Sequence, residues 1–359
     1  GYRHCNVGAV LNVQADHLGL RGIDTLEDLA EVKRIVIEIA KDAAVLNADD
    51  ELCLRMADYS KADHLCYVTM NPDHQLVQQH VVAGGRAVVL ERGIAGQMIT
   101  LYDSGAHIPL LWTHTIPATL DGKAMHNVQN AMFAAAVAFS MGTKLDEIRH
   151  GLRTFDMTYF QAPGRMNICD EHPFKVILDY GHNPAAVNAM VNLTDQLEPK
   201  GKRRVVIAAP GDRRDEDIRE IATLCAGHYD HYICKRDDDT RGRDGDEVPR
   251  MQRQALMDAG VPESAITVIP DEQEAVKAAL EGSETGDLVL IFGDNIQRTW
   301  NQITTFGSDD DALGDQDAPS LLQIDLNPVH LSPAALDPDG TLIRDDRGVR
   351  LARPKEISD

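Results

Sequence analysis

Lys175-Val-Ile-Leu-Asp-Tyr-Gly-His-Asn-Pro184 joins a short apolar run to a cluster of polar residues. Residues 176–178 predict a buried strand, and Pro184 suits the first turn of a following helix, where a missing N–H costs nothing. Ligands of α/β folds bind at the carboxyl ends of strands, so Asp179 and His182 are placed for chemistry. The alternative is a strand-end turn whose polar residues only cap the next helix.

The sequence beyond this stretch repeats the pattern of apolar strand and amphipathic helix. Strands are predicted at 176–179, 204–209, 231–234, 265–269 and 288–292. This alternation predicts a parallel sheet with crossover helices. Charged or polar segments follow three of the strands, at 210–216, 236–243 and 293–294. They indicate one common cleft at the carboxyl edge of the sheet.

The first half of the chain begins with the same kind of pattern. The apolar run 7–13 predicts a parallel strand, and the polar residues Asn12 and His17 lie at and beyond its end. A helix is predicted to begin after Thr25, which is a suitable N-cap. Lys33 lies beside the apolar stripe of this helix, where it can face either solvent or a cleft.

Further along the first half, the strands become closely spaced. Short apolar runs at 87–90, 99–102 and 108–111 are separated by turn residues, which predicts an antiparallel meander added to the parallel sheet. An Ala-rich helix is then predicted from 126 to 141. It opens with Asn127 and Asn130, and these amides either bind a ligand or, for Asn127, cap the helix.

Composition narrows the classes of function. The chain has 359 residues, 43% of them hydrophobic, and a net charge of −22, which argues against a nucleic-acid partner. No apolar run is long enough to cross a bilayer, so no membrane partner is predicted. The cysteines show no C-x-x-C pairing, which favours reduced, buried thiols in a cytoplasmic protein over disulfides or a zinc site. The six cysteines are Cys5, Cys53, Cys66, Cys169, Cys225 and Cys234.

Three segments are predicted from these patterns. Residues 1–160 form the first domain, residues 161–306 form the second, and residues 307–359 are an acidic tail. The tail is predicted to be disordered and without a site, because acidic sequence that contains proline offers little apolar surface to bury. No G-x-x-x-x-G-K-[ST] phosphate loop and no G-x-S-x-G elbow occurs in the sequence.

The order of the polar motifs resembles that of the Mur ligase family of ATP-dependent amide-forming enzymes. The motifs run Asn-x-x-x-Asp-His, then Asn-Ala-Asp-Asp, then His-Asn-x-x-Asn, then Gly-Arg and Asp-Tyr-Gly-His-Asn-Pro. The resemblance covers residues 1–306 and implies an α/β fold, with an incomplete Mur ligase central domain followed by a Rossmann-like C-terminal domain. Gly-Tyr-Arg-His-Cys and Ala-Ala-Pro-Gly-Asp-Arg-Arg-Asp-Glu-Asp are similar to a branch that adds arginine to the aspartate side chains of a storage polymer.

The resemblance assigns roles in the first domain residue by residue. His17 matches a histidine that ligates magnesium; the alternative is a strand-end histidine bonded to backbone. Lys33 falls where many members carry a carbamylated catalytic lysine that supports the metal; the alternative is a solvated lysine. Asn127 and Asn130 match asparagines that contact the adenine of the nucleotide.

Roles in the second domain are implied in the same way. Arg165 matches an arginine that reaches the phosphates of ATP, a task that suits a guanidinium. Asp179 matches the acid that holds the ribose, and His182 matches a catalytic histidine near the terminal phosphate. Residues 212–214 lie where members of the family recognise the incoming amino acid.

The resemblance also implies the reaction and its partners. A carboxylate attacks ATP to give an acyl phosphate, and the amine of arginine displaces the phosphate, with Mg2+ neutralising charge. The expected partners are ATP, arginine and an aspartate/arginine polymer, and the full-length parent is expected to be a homo-oligomer. Because the phosphate loop is missing, the chain is predicted to be a fragment without activity of its own. The alternatives are a non-catalytic nucleotide-binding module and another amide ligase of the family.

Overall fold

The computed structural model describes residues 3–15, 18–19, 22–307 and 342–352, which form two compact units. The first unit comprises the described residues up to Asp156 together with 342–352. The second unit comprises residues 157–307. The boundary follows Asp156, whereas the sequence predicted it after residue 160. None of the helices in the described part of the chain is long and apolar enough to cross a membrane.

The first unit is built on a six-stranded sheet in the order β1-β2-β3-β4-β5-β6. Strands β1 to β4 are parallel, and β4, β5 and β6 pair antiparallel. The predicted meander on a parallel sheet is therefore confirmed. The strands are β1 (Cys5–Val10), β2 (Ala40–Asn47), β3 (His64–Thr69), β4 (Arg86–Gly93), β5 (Gly96–Asp103) and β6 (Ala106–Trp112).

Side-chain capping sets the start of the first helix, and a glycine allows it to pack closely on the first strand. Helix α1 begins with a capping box between Thr25 and Asp28, as the sequence predicted. A Cβ added to Gly8 would lie 2.2 Å from the carbonyl oxygen of Val36, so glycine lets α1 lie directly on β1. The helices are α1 (Leu26–Glu38), α2 (Glu51–Arg55), α3 (Gln75–Val82), α4 (Met125–Ser140) and α5 (Leu145–Thr154), with 3-10 turns at Met56–Tyr59, Thr113–Thr115 and Pro117–Thr119.

The second unit contains a six-stranded sheet in the order β11-β10-β9-β12-β8-β7. Strands β8 to β12 are parallel, as predicted, and the short β7 pairs antiparallel with β8. Strand β7 was not predicted, because three residues are too few to show an apolar period. The strands are β7 (Asn167–Cys169), β8 (Lys175–Asp179), β9 (Arg203–Ile207), β10 (His231–Cys234), β11 (Ile266–Val268) and β12 (Leu288–Phe292).

Helices of the second unit connect its parallel strands. Asn183 caps α6, with its side-chain oxygen 2.8 Å from the amide nitrogen of Ala186, and Pro184 occupies the first turn. Strand residues such as Val206, Ile233 and Val289 are buried in one core. The helices are α6 (Pro184–Gln196), α7 (Asp215–Cys225), α8 (Glu247–Asp258), α9 (Glu272–Glu281) and α10 (Ile296–Thr305), with a 3-10 turn at Glu263–Ala265.

The prediction of a disordered tail is wrong for its last described part. Strands β13 (Leu342–Asp345) and β14 (Gly348–Leu351) form an antiparallel hairpin that packs on the rest of the first unit. Val349 is buried; its amide nitrogen lies 3.0 Å from Nδ1 of His80, and its carbonyl oxygen lies 3.2 Å from the hydroxyl of Tyr67. The prediction was made from the acidic composition of the whole tail, and this composition does not reveal a short segment with apolar residues. Residues 308–341 and 353–359 lie outside the described residues.

Candidate functional site

A pocket lies at the carboxyl ends of the parallel strands of the second unit. Strand β12 lies between β8 and β9, although it follows both in the chain, so the order of strands reverses there. Such a reversal is where open α/β sheets bind ligands. All three polar segments predicted to share a cleft contribute to the pocket. It is lined by Tyr180, Gly181, His182, Ala208, Ala209, Pro210, Asp237, Gly293 and Asp294.

Asp179 ends β8 and fixes the backbone beside the pocket. Its Oδ1 accepts a hydrogen bond from the amide of Gly181 at 2.7 Å, and its Oδ2 accepts one from the amide of Met166 at 2.9 Å. Burial raises the pKa of this carboxyl, against the opposing effects of the Met166 amide and the Arg165 charge. Asp179 therefore ties the turn after β8 to the segment that contains Arg165.

Arg165 lies between two residues with left-handed backbone conformations. Gly164 has φ of 71° and Met166 has φ of 49°, which is uncommon for a residue with a side chain. Such a backbone conformation is strained and persists only where contacts with the surrounding residues enforce it. Residues in such conformations cluster at functional sites. The bond from Met166 to Asp179 supplies part of that constraint.

The structure brings together the three site residues predicted in the second unit. The Arg165 guanidinium lies 5.6 Å from the ring centroid of Tyr180, whose ring lies 5.0 Å from that of His182. Nδ1 of His182 is 3.1 Å from the carbonyl oxygen of Tyr180. Arg165, Asp179 and His182 thus lie together at the end of β8, with Tyr180 between the side chains of Arg165 and His182.

The predicted amino-acid segment 212–214 is engaged in ion pairs. Asp212 lies 3.2 Å from Arg213 and 2.8 Å from Arg241, and Arg213 is buried. Arg214 makes two hydrogen bonds to the carboxylate of Asp217, at 2.9 and 2.7 Å. These ion pairs and hydrogen bonds hold the loop that follows β9 in place.

A second set of hydrogen bonds and ion pairs joins the loops that follow β9 and β10. Arg243 donates to the carbonyl oxygens of Gly211 and Arg213, at 2.6 and 2.8 Å. It also lies 2.8 Å from the Asp215 carboxylate at the start of α7. The two loops therefore form one connected wall.

Two buried charges behind the pocket were missed by the sequence reasoning. The Lys235 ammonium is 2.8 Å from Oε2 of Glu272 and 3.9 Å from Oδ1 of Asp237, and Lys235 is 0% exposed. Burial raises the pKa of Glu272, but the Lys235 charge and several hydrogen bonds outweigh it, so the pKa falls to about 2. A lysine directly after the apolar residues of β10 was the available signal. Glu272 resembled an ordinary acid in the first turn of a helix.

Two carboxylates line one side of the pocket. Burial raises the pKa of Asp237 to about 6, while the Lys235 charge lowers it and the Asp294 charge raises it. Oδ2 of Asp294 accepts a hydrogen bond from the amide of Asp238 at 2.8 Å. The pocket therefore offers a pair of acidic groups next to the cationic end of β8.

Asn127 and Asn130 lie together at the start of α4 in the first unit. Nδ2 of Asn127 donates to the carbonyl oxygen of Ala118 at 2.8 Å, and Nδ2 of Asn130 donates to Oδ1 of Asn127 at 3.1 Å. The alternative role of Asn127 as a helix cap is wrong, because Ala124 occupies the N-cap position. Burial lowers the pKa of the neighbouring His126 to about 4, so its ring is neutral.

Lys33 faces the end of β1 and not open solvent. Its ammonium donates to the carbonyl oxygen of Asn12 at 3.1 Å. Nearby, Nδ2 of Asn47 donates to the carbonyl oxygen of Leu11 at 2.8 Å. The structure therefore selects the cleft-facing one of the two orientations that the sequence allowed.

The predicted metal site is tested only in part. His17 lies outside the described residues. Among the residues that are described, no group of three or more His, Cys, Asp or Glu is placed to hold a metal ion. The assignment of His17 as a magnesium ligand therefore stays a prediction.

Comparison with protein families identifies both units. Residues 3–138 match the Mur ligase middle domain, and residues 164–295 match the Mur ligase glutamate ligase domain. The chain is 38% identical to the cyanophycin synthetase of Trichormus variabilis over 337 residues, 90% of this chain and 35% of that protein. It is 30% identical to the UDP-N-acetylmuramoyl-L-alanyl-D-glutamate--2,6-diaminopimelate ligase of Corynebacterium efficiens, covering 81% of this chain and 52% of that protein. The resemblance inferred from the short motifs is confirmed, and the chain spans about a third of the length of the cyanophycin synthetases that it matches.

Solved structures support the fold. Folylpolyglutamate synthase of Mycobacterium tuberculosis superimposes with a TM-score of 0.57 at 18% identity, over 85% of this chain and 65% of that one. MurF from Acinetobacter baumannii gives a TM-score of 0.55 at 17% identity, over 83% of this chain and 59% of that one. The predicted α/β class is confirmed. The chain belongs to the Mur ligase family, of which it carries the middle domain and the glutamate ligase domain.

Proposed function

We propose that this chain provides nucleotide and amino-acid sites of an ATP-dependent amide ligase. The ligase attaches arginine to the side-chain carboxylate of aspartate in a poly-aspartate backbone. The matches to cyanophycin synthetases support the reaction class. The observation that carries the proposal is the pocket of the second unit, which is lined by Tyr180, whose ring lies against Arg165, and by two carboxylates.

The end of β8, where Arg165 lies against Tyr180, suits phosphate. The Arg165 guanidinium is 5.6 Å from the centroid of the Tyr180 ring, and Asp179 accepts a hydrogen bond from the backbone amide of the next residue, Met166. A preoriented guanidinium stabilises charge that develops during phosphoryl transfer without having to reorganise. We assign Arg165 and His182 to the terminal phosphates and Asp179 to the ribose. In the first unit, Asn127 and Asn130 are assigned to adenine and Lys33, as a carbamylated lysine, to support of the metal ion.

The acidic side of the pocket suits the side chain of the incoming amino acid. A guanidinium offers five donors in a planar fork and pairs well with carboxylates. Asp237 and Asp294 lie on the same wall, and burial disfavours the charged form of Asp237. A bound cation would relieve that cost, so a cationic amino acid should bind better than a neutral one of the same shape.

The proposed reaction proceeds in two steps. An aspartate carboxylate attacks the terminal phosphate of ATP, releasing ADP and forming an acyl phosphate. The α-amine of arginine then attacks the acyl carbon, phosphate leaves, and the amine loses a proton. Magnesium bound to ATP would neutralise phosphate charge, and it would need few protein ligands. Because no phosphate loop occurs in these 359 residues, we expect no turnover from this chain alone.

The missing phosphate loop is also the observation that favours the second candidate, a non-catalytic nucleotide-binding module. That module would bind a nucleotide without recognising arginine. Arginine binding therefore separates the two candidates. A cytoplasmic location and a homo-oligomeric parent are further parts of the first proposal.

The test is calorimetric titration of the 359-residue chain with arginine in the presence of a non-hydrolysable ATP analogue. Citrulline is the matched control ligand, since it has nearly the same shape without the charge. We expect arginine to bind at least about tenfold more tightly than citrulline, because a charged hydrogen-bonding partner would be lost. Equal affinities would contradict the arginine assignment. Nucleotide binding without arginine binding would favour the module.

A further inference from the structure

Lys235 and Glu272 form a fully buried ion pair directly behind the pocket. Lys235 is 0% exposed and Glu272 is 1% exposed, and their charged atoms are 2.8 Å apart. Removing two charges from water is costly, and an apolar pair of similar volume is often at least as stable. Stability of the fold alone therefore does not account for this pair.

The Glu272 carboxylate organises the turn that follows β12. Its Oε2 accepts from the amide of Asp294 at 2.6 Å, and its Oε1 accepts from the amide of Asn295 at 3.1 Å. Oε1 also accepts from the hydroxyl of Thr299 at 2.9 Å. This single carboxylate thus fixes the backbone position of Asp294, which lines the pocket.

The same network reaches the loop that follows β10. Arg298 donates to Glu272 at 3.1 Å and lies 2.8 Å from the carboxylate of Asp238. The amide of Asp238 in turn donates to Asp294 at 2.8 Å. Strand β9 separates β10 from β12, so these contacts join two strand ends that are not neighbours in the sheet.

Lys235 completes the network from the other side. Its ammonium lies 3.9 Å from the Asp237 carboxylate as well as against Glu272. Lys235 and Glu272 are not among the residues that line the pocket, so they act on a ligand through Asp237 and Asp294.

We propose that Lys235 and Glu272 are positioning residues for the amino-acid subsite, which hold the carboxylates of Asp237 and Asp294 in place for a cationic side chain. The identity of the ligand rests on the proposed function. The arrangement of the two aspartates does not, and it has its own test below.

The first experiment measures arginine affinity of the Lys235→Met/Glu272→Gln double variant by calorimetry. This variant removes both charges, preserves volume and keeps an oxygen as acceptor. We expect arginine affinity to fall about tenfold or more, the scale seen when groups that orient ligand-contacting side chains are removed. Affinity for the ATP analogue should stay unchanged. A folded double variant with full arginine affinity would overturn the inference.

The matched control is Arg204→Met/Asp287→Asn. This pair lies at the amino ends of the same sheet, where Arg204 is 3.4 Å from Asp287 and Asp287 is buried. It should retain full arginine affinity, since it is far from the pocket along the strands. An equal loss in both double variants would show a general effect on the fold and would overturn the inference.

The second experiment follows the Asp237 carboxyl by carbon NMR across pH, without ligand. The charged groups that act on Asp237 are those of Lys235, Asp294, Arg241 and Glu272. Because the Lys235 charge acts more strongly than that of Glu272, the double variant should raise the pKa of Asp237 above about 6. An unchanged titration would overturn the inference. A raised pKa in a chain whose wild type does not bind arginine would sustain the positioning role and refute the proposed substrate.

If the double variant fails to fold, Glu272→Gln replaces it in both experiments. This variant keeps Lys235 and one of the two acceptor oxygens for the turn after β12, but it removes the buried negative charge. Arginine affinity should again fall, and Lys235, freed from its partner, should lower the pKa of Asp237. An unchanged affinity and titration in Glu272→Gln would overturn the inference.

Discussion

The strand ends of the first unit are held by bonds between side chains and backbone. Nδ2 of Asn47 donates to the carbonyl oxygen of Leu11, and Oδ2 of Asp50 accepts from the amide of Val13, both at 2.8 Å. Oδ1 of Asp50 also caps α2 through the amide of Cys53. Each contact satisfies a backbone group and fixes a loop.

The strand ends of the second unit are held by ion pairs between side chains in addition to bonds between side chains and backbone. Lys235 pairs with Glu272 and Arg298 pairs with Asp238, both at 2.8 Å. These contacts place charge at the wall of the pocket. The geometry there depends on which groups are ionised, whereas the loops of the first unit are held largely by backbone bonds.

The largest expected effect is that of Lys235→Met. It leaves the Glu272 carboxylate buried without its main counter-charge, and breaking such a pair costs about 3–5 kcal/mol. The free energy of unfolding of the second unit, measured by urea denaturation, should fall by that amount. The double variant Lys235→Met/Glu272→Gln should recover much of it, because no lone charge remains. If Lys235→Met is no less stable than the double variant, the buried ion pair does not stabilise the second unit in the way described here. The contrast with the first unit would then be wrong.

A second expected effect is a dependence of stability on pH that Asp237 contributes. Its pKa is raised to about 6 from an ordinary value of 3.8, mainly by burial. An acid with a raised folded pKa is ionised at a cost, so its contribution improves as the pH falls from about 7 to 4. Glu272, with its pKa lowered to about 2, opposes this only below about pH 4.5.

The measurement is urea denaturation of wild type and Asp237→Asn at several pH values. The difference between the two should change by about 2 kcal/mol between pH 7 and 4, since each pKa unit corresponds to about 1.4 kcal/mol. A constant difference would show that Asp237 is not held in the buried environment described here.

The smallest expected effect lies in the first unit. Asp50→Ala removes the cap of α2 and the acceptor for Val13, which should cost about 1–2 kcal/mol. Asp50→Asn should cost less than Asp50→Ala, because its amide oxygen can still accept one of the two bonds, from Cys53 or from Val13. Circular dichroism during urea denaturation measures both. A large loss in Asp50→Asn would show that charge also matters at these strand ends.

The sequence predicted those parts of the fold that local patterns determine. Apolar runs identified the parallel strands, and Thr25 and Pro184 identified helix starts. The hairpin at Leu342–Leu351 was missed, because its stability comes from contacts with distant residues such as Tyr67 and His80. Composition alone cannot report such contacts.

The sequence likewise predicted some residues of the candidate site and missed others. Arg165, Asp179 and His182 were found from motifs of the family, and the structure places them at one strand end. Lys235 and Glu272 were not found, because 37 residues separate them and each has an ordinary local explanation. Lys235 follows β10 and Glu272 begins α9 after β11, and the parallel pairing of β10 with β11 brings these two residues together.

The central claim is that an ionised Asp237 takes part in binding a cationic amino acid. It is tested most directly by arginine affinity and proton release, measured calorimetrically between about pH 5 and 7.5 in buffers of different ionisation enthalpy. Because Asp237 has a pKa of about 6, arginine should bind about tenfold more tightly at the higher pH. Binding near pH 6 should release up to about half a proton in wild type and none in Asp237→Asn, because a group with a pKa of about 6 is half protonated there. An affinity independent of pH, with no proton released by the wild type, would contradict the account.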